Sequence, residues 1–144
     1  MLIYLDSCAL VKLVRAQPES EALQAWLDER PREPLVSSEL ARAEVVRTVR
    51  RVSHSQRGEL LHPETLVTEL AEANQLLAAL AYVAVNRDVL VGAGELAMPM
   101  IRTLDAIHLV SARRLGAGLT HFVTYDKRLA SAAREAGLNV VAPV

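Results

Sequence analysis

Short apolar runs alternate with stretches of helical periodicity along the whole chain, and that alternation leaves few architectures open. Leu2-Ile3-Tyr4-Leu5 has the pattern of a buried strand, ends at Asp6-Ser7 and passes into an apolar-periodic helix over 9–14. Pro18 interrupts that helix, after which Ala22, Leu23, Trp26 and Leu27 recur at helical spacing up to the break at Arg30-Pro31-Arg32-Glu33-Pro34. Leu35-Val36-Ser37 reads as a second strand, with Ser38 as the N-cap of a helix to about Val52 and a polar connection over 53–58. Pro63 suits a first helical turn, and Leu66, Leu70, Ala73, Leu77 and Leu80 keep one stripe behind it. A third strand is expected over 82–85, helices over 89–96 and 103–115, and a fourth strand over 121–125 ending at Asp126. A helix over 127–136 closed by Gly137 and a last strand over 138–141 complete the pattern. Strands regularly separated by helices form a parallel sheet covered on both faces, and ligands bind such α/β sheets beyond the carboxyl ends of the strands. Asp6 and Asp126 fall there.

Composition narrows the function classes. A chain of 144 residues, 51% hydrophobic and 23% charged, can build one ordinary domain with a sizeable core. Sixteen basic and 17 acidic residues give a net charge of −1, which excludes a basic tail or a polyacidic disordered segment. A nucleic acid would have to be met by a local patch. Lys12 and Lys127 are the only lysines, and arginine's planar fork suits phosphate. The single Cys8 makes no internal disulfide, and histidines at 54, 62, 108 and 121 have no zinc-ligand spacing, so a reducing cytoplasm is expected. Met1 to Asp6 has no basic leader, and the longest apolar run, residues 76–85, falls well short of the roughly 20 residues a membrane helix needs. No membrane association is expected.

Four acids stand out. Of the five aspartates, at 6, 28, 88, 105 and 126, two end predicted core strands. Asp105 interrupts the apolar Leu104-Asp105-Ala106-Ile107-His108-Leu109-Val110, and Glu44 lies between Ala43 and Val45-Val46. A carboxylate on a largely buried helix face costs several kcal/mol unless it is paired or bound to metal. Four carboxylates in one crevice would repel each other, a conflict that a divalent cation resolves. With no thiolate or histidine set, oxygen ligands favour hard Mg²⁺ or Mn²⁺, which also bind phosphates and suit phosphodiester hydrolysis. The same residues admit a structural reading: Asp6 and Asp126 cap helices, and Glu44 and Asp105 pair with arginines.

Tyr4-Leu5-Asp6-Ser7, Ala43-Glu44-Val45, Leu104-Asp105-Ala106-Ile107-His108-Leu109 and Thr124-Tyr125-Asp126-Lys127-Arg128-Leu129 resemble, in order, the acidic motifs of PIN-domain ribonucleases, specifically the VapC toxins of bacterial toxin–antitoxin pairs. The resemblance spans essentially the whole chain. It implies a single PIN domain over 1–144, a three-layer α/β/α sandwich around a parallel sheet of four to five strands. It implies an endoribonuclease dependent on one or two Mg²⁺ or Mn²⁺ ions, held by Asp6, Glu44, Asp105 and Asp126 with hydrogen-bond support from Ser7 and Thr124. The family's products carry a 5′-phosphate and a 3′-hydroxyl. Cys8 is a departure, because relatives more often carry Ser or Asn there. A VapB-like antitoxin and a homodimer are implied as partners, in keeping with a mean hydropathy of +0.19 that suggests covered apolar surface.

Other constellations carry less. Cys8 and Arg15 lack the spacing and glycines of a phosphatase loop, and Cys8 stands where a phosphoaspartyl hydrolase needs a second aspartate. A receiver domain would need an acidic pair near the first strand, where only Asp6 is found. His108 lies one turn after Asp105, close enough to touch the site or orient Asp105, but the acidic set does not require it and it reads first as a packed or partly exposed histidine. Arg42, Arg47, Arg50 and Arg51 cluster around Glu44 on one helix and could receive RNA phosphates, with Arg42 and Arg47 the foremost candidates together with Lys127 and Arg128; the alternative is a solvated face of ion pairs. With aromatics at 3%, base-stacking platforms are scarce. A catalytically silent PIN-like module that binds RNA or protein is the alternative function.

Overall fold

A computed structural model describes all 144 residues. The first apolar run forms β1 (Leu2–Leu5), and its side chains alternate between faces as a strand requires: Ile3 and Leu5 pack into one core, Tyr4 into the other. Both cores are buried because helices cover both faces, the condition under which a parallel strand can be apolar throughout. Helices α1 (Ser7–Val14), α2 (Ser20–Asp28), α3 (Ala41–Val52) and α4 (Pro63–Ala79) build the larger core through Leu10, Leu23, Val45, Val49, Ala73 and Leu77. On the opposite face, α6 (Thr103–Arg113) and α7 (Lys127–Glu135) close over Tyr4, Val36 and Phe122 with Leu109, Ala112, Leu129 and Ala133. Helix α5 (Arg87–Gly94) leans on α6 through Gly92, where an added Cβ would stand 3.3 Å from Val110.

The sheet order is β3-β2-β1-β4-β5, all pairs parallel, with β2 (Leu35–Ser38), β3 (Ala81–Val83), β4 (Leu119–Val123) and β5 (Val140–Val141). The three-layer α/β architecture expected from the sequence is thus present, with five strands. The chain winds outward from β1 in one direction through β2 and β3, then returns to lay β4 and β5 on the other side. A crevice opens where the direction reverses, beyond the carboxyl ends of β1 and β4. Asp6 and Asp126 flank it.

Several element boundaries differ from expectation. β4 begins two residues early because a 3-10 turn at Gly116–Gly118 delivers Leu119 opposite Leu2, where Thr120 donates to the Leu2 carbonyl at 2.9 Å. It ends early because Thr124 turns the chain, its hydroxyl accepting the Asp126 N–H at 3.1 Å. β3 covers 81–83 rather than 82–85, since its partner β2 stops at Ser38 and offers nothing beyond Val83. Ser38 is the last residue of β2 rather than the α3 N-cap, and its hydroxyl accepts from Leu40 N–H at 3.2 Å. The helix stops read from glycine hold at Gly137, whose φ of +85° ends α7. Its N–H bonds the Arg134 carbonyl and Leu138 N–H bonds that of Ala133, both at 2.9 Å. No helix is long and apolar enough to cross a membrane.

Candidate active site

Each of the four acids arrives on a different element. Asp6 terminates β1 and caps α1, its Oδ1 accepting Ala9 N–H at 2.9 Å. Asp126 follows β4 and caps α7 in the same way, accepting Leu129 N–H at 2.9 Å. Both helix caps of the structural reading are therefore real, and they fix two carboxylates at the rim of the crevice. Glu44 projects from the first turn of α3 and Asp105 from the first turn of α6. Helix N-termini favour negative charge, which helps these positions tolerate acids.

Asp6 is 3% exposed and densely held. Besides Ala9, its carboxylate accepts from the Cys8 thiol at 2.9 and 3.1 Å and from the Thr124 hydroxyl. Burial raises its pKa above the ordinary 3.8, while these donors and the nearby His108 pull it back. Thr124 is thus in hydrogen-bond contact with an acid. Ser7 is not: as the first residue of α1 it lies outside the arc of the N-cap carboxylate, which curls back over the second and third positions, Cys8 and Ala9. Cys8 takes the place read for Ser7. Burial and the adjacent Asp6 push its thiol up to about 12, so it remains a protonated donor.

Glu44 meets no arginine. His108, 1% exposed, sits between it and Tyr4, with Nε2 2.6 Å from Glu44 Oε1 and Nδ1 2.7 Å from the Tyr4 hydroxyl. Burial, then Asp6, raises the Tyr4 pKa well above 10.0, so its hydroxyl is the donor to Nδ1. Nε2 then carries the proton given to Glu44, which fixes the tautomer and orients the carboxylate. The histidine is packed, as the sequence suggested, and it also belongs to the site. Glu44 and His108 lie 64 residues apart on different helices; the spacing of His108 one turn after Asp105 is the only sequence signal.

Asp105 has neither a hydrogen bond nor an ion pair on its carboxylate. Burial raises its pKa above 3.8, and Asp126, Asp6 and Glu44 all push the same way, opposed by His108 alone. The four acids therefore share one electrostatic neighbourhood that contains no arginine or lysine partner for them. No three of the side chains are arranged to grip one ion as they stand, which departs from a ready-made four-carboxylate cage. Hydrogen bonds to Ala9, Cys8, Thr124, His108 and Leu129 already occupy much of the set. Glu44 Oε2, Asp126 Oδ2 and both oxygens of Asp105 accept no hydrogen bond. An all-oxygen set with so few free atoms fits a hard cation that takes one or two carboxylates directly and fills its shell with water, the habit of Mg²⁺.

The basic candidates are dispersed. Arg42 is engaged, with Nε 2.7 Å from Glu39 and the guanidinium 4.0 Å above the Tyr82 ring. Lys127 and Arg128 line a groove with Ala97 to Ile101 rather than the crevice, since each step along α7 turns a side chain about 100° away from Asp126. The cavity that adjoins the crevice, about 410 Å³, is bounded by Ser7, Cys8, Thr48 and Asp126 and carries Lys12 and Arg51 as its cations. Lys12 is committed to Glu19 at 2.6 Å.

The PIN domain model matches residues 3–135, and Ribonuclease VapC46 of Mycobacterium tuberculosis is 44% identical over 141 residues, covering 98% of this chain and 97% of the relative. The chain belongs to the VapC-like PIN-domain family. Ribonuclease VapC35 of the same species is 40% identical over 144 residues, 99% of this chain and 97% of that one. Among solved structures, the VapBC2 complex of Rickettsia felis bound to a promoter DNA fragment superposes with a TM-score of 0.70 at 15% identity, covering 100% of both chains. M. tuberculosis VapC20, a toxin that cleaves the sarcin-ricin loop, gives 0.69 at 15% identity over 98% of this chain and 99% of that one. At that identity the likeness speaks for the VapC-like fold alone.

Proposed function

We propose that this VapC-like chain is a divalent-metal-dependent endoribonuclease, the toxin of a toxin–antitoxin pair, with Asp6, Glu44, Asp105 and Asp126 as its acidic site. The observation that carries this reading is Asp105, a half-buried carboxylate among three other acids with no arginine or lysine of the protein to answer it. Glu44, Asp105 and Asp126 present the free oxygens that would hold Mg²⁺ or Mn²⁺, with Asp6 completing the negative field from behind. Held there, such an ion would supply charge stabilisation at a scissile RNA phosphodiester. Thr124 and Cys8 hold Asp6 in its buried rotamer, and the Tyr4–His108 chain holds Glu44. Those four residues position the acids without touching the reacting atoms. The reading includes a VapB-like antitoxin and a homodimer, and Leu90, Val91, Met100 and Leu104, each about half exposed or more, are apolar surface for such partners to cover.

The test is cleavage of total cellular RNA by the purified chain with Mg²⁺, with Mn²⁺ and with EDTA, beside an Asp6→Asn variant. Discrete fragments that require metal and vanish in the variant are expected. Intact RNA under all conditions, with the antitoxin shown to be absent, would instead assign the chain to the silent binding modules.

A further inference from the structure

A second concavity, about 470 Å³, lies at the far end of α3 and has no apolar residue in its lining: Arg47, Arg50, Arg51, His54, Ser55, Gln56 and Gly58. Its three arginines are exposed and make no ion pair, unlike Arg15, Arg30, Arg42 and Arg114, each of which meets a carboxylate. The pocket has a built wall opposite them. Ser55 to Gly58 form a turn closed by the Gly58 N–H on the Ser55 carbonyl at 3.0 Å, with Gly58 at φ +81°. The Ser55 hydroxyl accepts from Glu59 N–H at 3.1 Å, and His54 Nδ1 donates to the Arg50 carbonyl, which pins the imidazole at the pocket edge. Three unpaired guanidiniums around a polar hollow match an anion with several acceptor oxygens.

The location supplies the identity of that anion. Arg51 borders both this pocket and the cavity beside Cys8 and Asp126, so the two concavities lie on either side of one guanidinium-bearing residue. Glu44, Arg47 or Thr48, and Arg51 follow one another at helical spacing along one face of α3. At 1.5 Å per residue, Arg51 stands about 10 Å along the axis from Glu44, and Val52, the last residue of α3, about 12 Å. That is too far for the scissile phosphate and is the scale of the next segment of the same backbone. We propose that Arg47, Arg50 and Arg51 bind phosphates of the RNA strand away from the scissile bond and that α3 is the rail along which the substrate enters the acidic crevice. The ligand's identity rests on the ribonuclease reading above; the anion site rests on the pocket alone.

The experiment measures binding of a fluorescein-labelled 20-nucleotide single-stranded RNA of mixed sequence in EDTA, as a function of salt, where cleavage plays no part. Replacing Arg47, Arg50 and Arg51 together with Gln is expected to weaken binding at least tenfold at low salt. It should also reduce the slope of log affinity on log salt by about 2, close to 0.7 for each phosphate of a single strand that is no longer neutralised. The triple Lys variant, which keeps the charge, should retain most of the slope. A control triple, Arg32, Arg113 and Arg134 to Gln, removes the same charge from unpaired, exposed arginines elsewhere and should leave the slope within about 0.5 of wild type. Equal losses in both Gln triples would overturn the pocket in favour of undirected electrostatics, as would unchanged binding in the first. Cleavage of RNA with Mg²⁺ or Mn²⁺ is scored separately: in an active wild type the pocket variant should raise KM with kcat nearly unchanged. A chain that binds RNA through this pocket but cleaves none would refute the nuclease reading and leave the pocket standing.

Discussion

On the β1 side of the crevice Asp6 is 3% exposed and takes hydrogen bonds from Cys8, Ala9 and Thr124, whereas across it Asp105 and Asp126 are partly or fully open and share one carboxylate hydrogen bond, from Leu129. Glu44 belongs with the fixed half, gripped by a buried histidine. The difference separates two duties within a single acidic cluster. A carboxylate locked by several donors reorganises little when charge develops nearby, which is where electrostatic catalysis gains most. Carboxylates with free oxygens can follow an ion or phosphate as it arrives. One half sets the field and the other adapts to its occupant.

Removing charge from either half should have the largest effect, and stability should tell the two halves apart. Asp6→Asn is expected to lower metal-dependent RNA cleavage about a thousandfold or more. The metal-free fold should be as stable as wild type or more so, because a buried repelling charge is gone while asparagine still caps α1. Asp6→Ala separates the two roles, since it also loses the cap and should cost about 1 kcal/mol relative to the Asn variant. Asp126→Asn should match the loss of cleavage, with stability changed by less than about 0.5 kcal/mol at its exposed position. Cleavage rates together with urea midpoints decide the matter. An Asp6→Asn protein that cleaves normally but unfolds more easily would reduce Asp6 to a helix cap.

Breaking the tether on Glu44 comes next. His108→Ala leaves the Tyr4 hydroxyl without its partner in a buried site and opens a cavity, a combination worth about 2–4 kcal/mol of stability. If the histidine also orients Glu44, kcat should fall about 10- to 100-fold, the usual cost of removing a group that aims a ligand. His108→Gln, whose amide can still donate, should recover much of the rate. Recovery of stability without recovery of rate would make His108 a packing residue only.

Much of this division can be traced in the sequence, and the rest has identifiable reasons for being hidden. Asp6 and Asp126 were legible because strand ends in a parallel α/β pattern locate the crevice, and Asp105 and Glu44 because an acid in an apolar helix is costly without a reason. The distinction between halves was not, because it depends on hydrogen bonds between residues such as Thr124 and Asp6, 118 positions apart. Ser7 is the donor that the family resemblance implies. The N-cap geometry of Asp6 decides instead for its neighbour. Strand limits slipped by a residue or two where a partner strand ended, as β2 does at Ser38, a fact about pairing rather than about the strand's own residues.

Protonation sharpens the comparison further. The pKa values of Asp6 and Asp105 are raised above 3.8 in the folded chain, so over the interval from 3.8 up to those raised values the folded state holds protons that the unfolded state has released. Stability supplied by these groups is complete below 3.8 and is lost as pH rises through the folded values. In EDTA, wild type should therefore lose stability relative to Asp6→Asn as pH climbs through this interval. Glu19, held low by its hydrogen bond to Lys12, works in the opposite sense but is common to both chains and cancels. Millimolar Mg²⁺ should restore wild-type stability at the upper end, because an ion binds only the charged form. A difference that grows as pH falls would contradict the raised values.

The smallest effect is expected at Cys8, in the fixed half. The thiol donates to both oxygens of Asp6 and is pushed up to about 12 by burial and by that same carboxylate, so at neutral pH it is a weak hydrogen-bond donor and almost never a thiolate. Cys8→Ser replaces a weak donor with a stronger one of similar reach, and cleavage should stay within about threefold of wild type. Cys8→Ala removes the donor while Ala9 N–H and Thr124 still hold Asp6, so its loss should be larger than that of the serine variant yet far smaller than that of Asp6→Asn. Alkylation by iodoacetamide at pH 8 should be slow in the folded protein and fast after denaturation. Rapid labelling of the folded chain would mean that the thiol is ionised, and two adjacent negative charges in a buried pocket would then demand a cation on the side of the crevice that shows least room for one.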